Sequence, residues 1–147
     1  MSGSYDATCT FCRVVTGELD APIVYEDTDT IGFLDHRPVF KGHVLIVPRK
    51  HVVTLPDLPA ERLAPYFAVV QHVARLLPDA LGAQGTFVAE NNVVSQSVPH
   101  LHFHVVPRTK GDGLRGFFWP RTKYAEGEAD EFADRIRTAL GARRPTI

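Results

Sequence analysis

Residues 96–107 read Gln-Ser-Val-Pro-His-Leu-His-Phe-His-Val-Val-Pro, so imidazole and apolar side chains alternate without a break from His100 to Val105. A neutral imidazole near pH 7 can act as a nucleophile, an acid-base group or a metal ligand, and three in a row are a candidate site. The alternation is the period-two pattern of a strand with two unlike faces. It predicts His100, His102 and His104 on one face, with Leu101, Phe103 and Val105 packed on a core behind them. Pro99 and Pro107 cannot donate to a ladder, so they bracket a predicted strand of about seven residues. The plain alternative is a row of polar residues on a solvated sheet face.

Spacing gives the three rings different jobs. At ~3.3 Å per residue, neighbours on one face lie ~6.6 Å apart and His100 and His104 lie ~13 Å apart. One metal ion binds each imidazole nitrogen at ~2.0 Å, which disfavours a single three-histidine zinc site.

The only two cysteines form a Cys-x-x-Cys, Cys9-Thr-Phe-Cys12. Such a pair is a redox couple, half of a tetrahedral zinc site, or two ordinary reduced thiols, and the spacing alone leaves all three open. The βαβ setting expected of a redox motif is missing around it.

These residues must be positioned by a small set of elements. Residues 23–26 and 30–34 are β-prone runs around Asp27-Thr28-Asp29, a predicted hairpin. Residues 42–48 form a third strand, apolar enough to be buried on both faces, and Arg49-Lys50-His51 follow where loops carry site residues. A helix is expected next. Leu63, Phe67, Val70, Ala74 and Leu77 make its apolar stripe, Pro59 suits its first turn, and Pro65 predicts a later start or a kink. His72 lies off the stripe and is expected to be solvated. Residues 86–89 make a fourth strand and residues 90–95 a polar loop into the histidine run. Beyond Pro107 come a glycine-rich loop, the aromatic cluster Phe117-Phe118-Trp119-Pro120, and a helix over residues 128–140 with Phe132, Ile136 and Leu140 on one side. This order argues for an antiparallel α+β domain.

The chain has 147 residues, 44% hydrophobic and 22% charged, which suits one globular domain spanning 1–147. With 16 basic against 17 acidic residues, no overall field draws it to nucleic acid or a membrane surface. No apolar run approaches the ~20 residues that span a bilayer. The first residues show no basic or apolar signal region, so the expected location is cytoplasmic.

The segment Gln96-Ser97-Val98-x-His100-x-His102-x-His104-Val105-Val106-Pro107 resembles the signature of the histidine-triad (HIT) superfamily of nucleotide hydrolases and transferases. The likeness runs from Cys9 to about Asp112, through Phe33-Leu34-Asp35, Gly42-His43 and Val47-Pro48-Arg49-Lys50-His51. It implies an antiparallel sheet of about five strands with a long central helix, a short N-terminal helix and a C-terminal helix. It also implies a catalytic set. His102 is the nucleophile that attacks the α-phosphorus and holds a nucleotidyl-imidazole intermediate, with its other nitrogen bonded to the main-chain oxygen of His100. His104 sits beside the phosphate and His43 supports the triad from the next strand. Ser97 and Gln96 meet the phosphates or leaving group, Asp35 receives the ribose hydroxyls, and Phe33 and Leu34 wall the base. The substrate expected is a dinucleoside polyphosphate or an AMP-amine conjugate, cleaved at a phosphoanhydride or phosphoramidate bond.

Zinc-bearing members, and the related galactose-1-phosphate uridylyltransferases, pair two such cysteines with a histidine after the third strand and the first triad histidine. Here those are Cys9, Cys12, His51 and His100, a closed Cys₂His₂ shell that is structural and pins residues 1–17 to the active strand. The chain departs from the family at Ala89, where many members have asparagine, and at Ser95, where many have glycine; Asn91 and Asn92 offer amides nearby. Residues 107–112 resemble the fragile-histidine-triad branch, which favours dinucleoside polyphosphates. Trp119 resembles, at longer spacing, the tryptophan that the phosphoramidase branch sends into its partner's site. Members are commonly homodimers, which the resemblance implies here. The rival readings are a nucleotidyltransferase, a non-catalytic nucleotide-binding module and a purely structural zinc protein.

Overall fold

A computed structural model describes residues 5–114 and 121–141. It divides into two compact units, Met1–Asp112 and Gly113–Ile147. In the first, helix α1 (Thr10–Val15) precedes strands β1 (Ile23–Glu26), β2 (Thr30–Leu34) and β3 (Val44–Pro48), helix α2 (Ala60–Leu81), and strands β4 (Gly85–Ala89) and β5 (Phe103–Arg108). The strands form one antiparallel sheet in the order β1-β2-β3-β5-β4. This is the α+β arrangement that the order of elements predicts.

The β1–β2 turn is tied by Asp27, whose Oδ1 accepts the amides of Asp29 and Thr30, both at 2.8 Å. Strand β3 is buried on both faces, as its composition requires. Val44 and Ile46 pack with Leu101, Phe103 and Val105 against Tyr66, Val69 and Val70 of α2. Leu45 and Val47 pack on the opposite face with Ile31, Phe33 and the α1 residues Phe11, Cys12 and Val14. The sheet is therefore covered by a long helix on one side and a short one on the other, and the short one lies on the histidine face.

Two sequence expectations need correction. The histidine strand begins at Phe103 rather than His100, and its pairing with β3 covers only Phe103 to Val105. Upstream, the Leu101 amide donates to the Val52 carbonyl at 2.6 Å, which ties residues 100–102 to the loop after β3 instead of the ladder. The alternation survives this, because Leu101 still faces the α2 core. Pro107 lies inside β5, opposite Thr86, where β3 has already ended and only β4 continues alongside.

The α2 stripe lies on the expected face but is wider: Val70 is buried and Leu63, Ala74 and Leu77 pack against the core, with Phe67 the exception. Its buried residues are Tyr66, Val69 and Val70, whereas Phe67 is exposed and touches Phe103 edge-on. Tyr66 is favoured inward because its hydroxyl donates to the Ile46 carbonyl at 2.7 Å. Pro65 and Pro78 both lie within the helix, and Gly82 closes it in the left-handed conformation at φ 68°. His72 is solvent-exposed, as expected of a residue off the stripe, and meets Tyr25 edge-on.

In the second unit, α3 (Glu128–Gly141) starts with a reciprocal pair: the Glu128 amide donates to the Ala125 carbonyl, and the Ala125 amide to Glu128 Oε1. Trp119 and its aromatic neighbours lie outside the described residues.

Candidate active site

Two main-chain carbonyls decide where the protons sit on the first two rings of the triad. His102 Nδ1 lies 2.7 Å from the His100 carbonyl oxygen, which can only accept, so Nδ1 carries the hydrogen and Nε2 keeps its lone pair. His100 is locked in the opposite tautomer. Its Nε2 donates to the Pro48 carbonyl at 2.7 Å, leaving the lone pair on Nδ1.

That His100 Nδ1 faces sulfur. It lies 3.4 Å from Cys9 Sγ and 3.6 Å from Cys12 Sγ, and His51 Nδ1 lies 3.3 Å from Cys12 Sγ. In a tetrahedral site with Zn–S of ~2.3 Å and Zn–N of ~2.05 Å, the N···S edge is ~3.5 Å. The four donor atoms all fall within 4.8 Å of one another, and Cys9, Cys12 and His100 are buried. Burial pushes the Cys12 thiol up to about 11, and Cys9 beside it adds to the rise. Such thiols give up their protons to a bound cation rather than to water. The donor set and its spacing therefore fit zinc.

On the other side of His102, Asp35, His43 and His104 form a second cluster of ligand-type side chains. Its wiring differs. The Val39 amide donates to His43 Nδ1 at 3.1 Å, so the His43 proton is on Nε2, which donates to His104 Nδ1 at 2.9 Å. His104 must then carry its own proton on Nε2. Asp35 Oδ2 lies 3.8 Å from His43 Nε2, while its Oδ1 accepts the Arg37 amide at 2.9 Å. Burial lowers the pKa of His43 and His102, and it lowers His104 to about 4, with His102 and His43 adding to the effect. Neutral rings with fixed protons result.

His102 and His104 open into a cleft of about 530 Å³, which Phe33, Leu34, Asp35, Ser97 and Val98 also line. One wall comes from α1, through Thr10, Phe11 and Val14. The Phe11 ring stands edge-on to His102 at 5.0 Å and to Phe33 at 5.3 Å. One end thus offers a nucleophile with fixed donors, and the rest offers mainly apolar walls with two carboxylates, Asp20 and Asp35, which suits a polar head on a flat apolar body.

The structure gathers Phe33, Leu34, Asp35, Ser97, His102 and His104 at this cleft, with His43 directly behind His104. Gln96 and Asn91 are placed differently. Gln96 accepts the Val93 amide and donates to the Val53 carbonyl at 2.6 Å, and Asn91 donates to the Ser95 carbonyl, so both amides hold the loop together and neither lines the cleft. In that loop Ser95 has φ 62°, the left-handed region that glycine adopts most readily. The α1 wall is what sequence reasoning missed. Its signal is Phe11, an aromatic between two candidate metal ligands that themselves converge on His100.

Comparison with known proteins agrees with this geometry. The HIT domain family model matches residues 16–111. An uncharacterised HIT-like protein of Methanocaldococcus jannaschii is 40% identical over 107 residues, 71% of this chain and 82% of that protein. The adenosine 5'-monophosphoramidase of Schizosaccharomyces pombe is 28% identical over 135 residues, 90% of this chain and 98% of that one. Among solved structures, a Streptococcus mutans protein superposes with a TM-score of 0.85 at 30% identity, covering 95% of this chain and 89% of that one. A zinc-bound histidine-triad protein from Mycobacterium smegmatis superposes with a TM-score of 0.70 at 36% identity, covering 90% and 98%. The chain belongs to the HIT domain family, a family of nucleotide-binding proteins with a five-stranded antiparallel sheet. No helix among the described residues is long and apolar enough to cross a membrane.

Proposed function

We propose that the protein hydrolyses a phosphoanhydride or phosphoramidate at the α-phosphate of a nucleotide through a nucleotidyl group held on His102. The hydrogen bond from His102 Nδ1 to the His100 carbonyl carries this reading, because it leaves a neutral ring with its Nε2 lone pair at the polar end of the cleft. Nε2 attacks the α-phosphorus, and the bond to the leaving group breaks with its electron pair staying on the leaving group, which takes up a proton. Water then opens the P–N bond, releasing the nucleoside monophosphate and regenerating the ring. His104 Nε2–H donates to the phosphate oxygens, and His43 holds it in that tautomer. Ser97 meets the phosphate or the leaving group, Asp35 receives the ribose hydroxyls, and Phe33 and Leu34 flank the base.

The substrate is an AMP-amine conjugate or a dinucleoside polyphosphate, and the S. pombe phosphoramidase, aligned over 90% of this chain, favours the first. Zinc on Cys9, Cys12, His51 and His100 is structural in this reading, since four protein ligands leave no open position. Among the described residues β4 is the edge strand next to β5, and a sheet edge of this kind supports a homodimer, tested by the mass in solution. The functional test is turnover of adenosine 5'-monophosphoramidate and diadenosine polyphosphates by wild type and His102→Ala. Activity should fall at least ~10³-fold in the variant while the thermal transition is kept; undiminished turnover overturns the assignment.

A further inference from the structure

The metal cluster and the cleft share two structural parts. The first is α1. A helix of six residues is too short to hold itself in water. Packing and its thiols hold it in place: Cys9 Sγ caps it by accepting the Cys12 amide at 3.4 Å, and Cys12 Sγ accepts the Asp6 amide at 3.4 Å. Between those thiols in sequence, Phe11 packs in the same buried cluster, with its ring edge-on to His102 at an interplanar angle of 89° and to Phe33 at 73°. Whatever fixes the two sulfurs fixes this wall.

The second shared part is His100. Its Nδ1 faces both sulfurs, and its own carbonyl oxygen accepts the His102 proton. One buried residue therefore serves the metal with its side chain and the nucleophile with its main chain.

We propose that metal binding at Cys9, Cys12, His51 and His100 and nucleotide binding in the cleft are thermodynamically coupled, each tightening the other through Phe11 and His100. The coupling rests on the nucleotide reading above and adds to it: the zinc cluster regulates the affinity of the cleft, and Phe11 is the positioning residue between them. Reciprocity is required by linkage, so the factor by which zinc tightens AMP equals the factor by which AMP tightens zinc.

The experiment uses the zinc-loaded full chain. Zinc affinity is measured by competition with a chromophoric chelator, with and without saturating AMP, and AMP affinity by calorimetry on the zinc-loaded and metal-free protein. AMP should tighten zinc at least about threefold, a modest value for coupled sites, and a smaller factor overturns the proposal. Because the chelator arm starts from loaded protein, it remains decisive if the metal-free chain unfolds. Phe11→Ala should cut the factor at least in half with zinc still bound; a factor kept in full overturns the role of Phe11. If the loaded wild type binds no AMP, the nucleotide reading fails and the coupling with it; if AMP binds but the zinc affinity does not change, the coupling alone is overturned.

Discussion

Two clusters of ligand-type side chains flank His102, and they use the same kinds of groups for opposite ends. Around His100, the Nε2 proton is directed to the Pro48 carbonyl, so the Nδ1 lone pair meets two thiols with removable protons, and His51 Nδ1 lies against one of them. Around His104, the convergence is already filled by a hydrogen: Val39 N–H occupies His43 Nδ1, forcing the His43 proton onto the nitrogen that faces His104. A metal there would have to expel that proton and leave the Val39 amide facing a protonated ring. Proximity of ligand atoms is thus common to both clusters, and the main-chain partners of His100 and His43 decide which one suits a metal and which one suits a fixed relay of donors.

The sharpest way to break this contrast is to remove one ligand from each side. Cys9→Ser should lower the zinc content, by elemental analysis of protein purified without added metal, from near one per chain to near none; Asp35→Asn should leave it unchanged. Zinc lost equally from both would mean that the clusters are not distinct. Next in size, His43→Ala leaves His104 Nδ1 without its donor. Turnover should drop roughly 10- to 100-fold, the scale of lost supporting hydrogen bonds, with zinc retained.

The pH dependence sharpens the same comparison. His102 is needed neutral, and burial lowers its folded pKa below the ordinary ~6.5. The acid limb of kcat/KM should accordingly lie below pH ~6.5, with activity level above it. His104, lowered to about 4, bears on stability. Between its ordinary ~6.5 and about 4 the unfolded chain binds the extra proton, so the contribution of the neutral ring is present above that window and is lost as pH falls through it. Denaturation midpoints at pH 7.5 and pH 5 should show the decline, and His104→Asn should reduce it in part, the other buried rings supplying the rest. The smallest effect belongs to the loop between the clusters: Ser95→Gly relieves a left-handed φ and should stabilise by roughly 0.5 kcal/mol, since the relief slightly exceeds the entropy a glycine adds. A destabilised variant would show that Ser95 holds more than its backbone.

Much of this was legible from residue order. The period-two run at His100 to Val105 gave the facing of the rings, and Cys9, Cys12, His51 and His100 could be grouped through the family resemblance before any coordinates. Register was less accessible. The ladder starts at Phe103 because Leu101 bonds to Val52, a long-range main-chain contact with no sequence signature. The widening of the α2 stripe to include Tyr66 has a similar cause, a hydroxyl finding the Ile46 carbonyl. The family resemblance implied Gln96 at the cleft, with Asn91 to compensate for the departures at Ala89 and Ser95, yet both amides bond main-chain carbonyls instead. The α1 wall was hidden because Phe11 looks like any core aromatic until the cysteines beside it are brought to His100.

The most direct measurement is a rapid acid-free quench of wild-type protein during turnover of an AMP-amine conjugate, followed by mass spectrometry of the peptide holding residues 96–107. The account predicts one nucleotidyl group on His102. Steady turnover with no adduct there, or with the group on another residue, would contradict it.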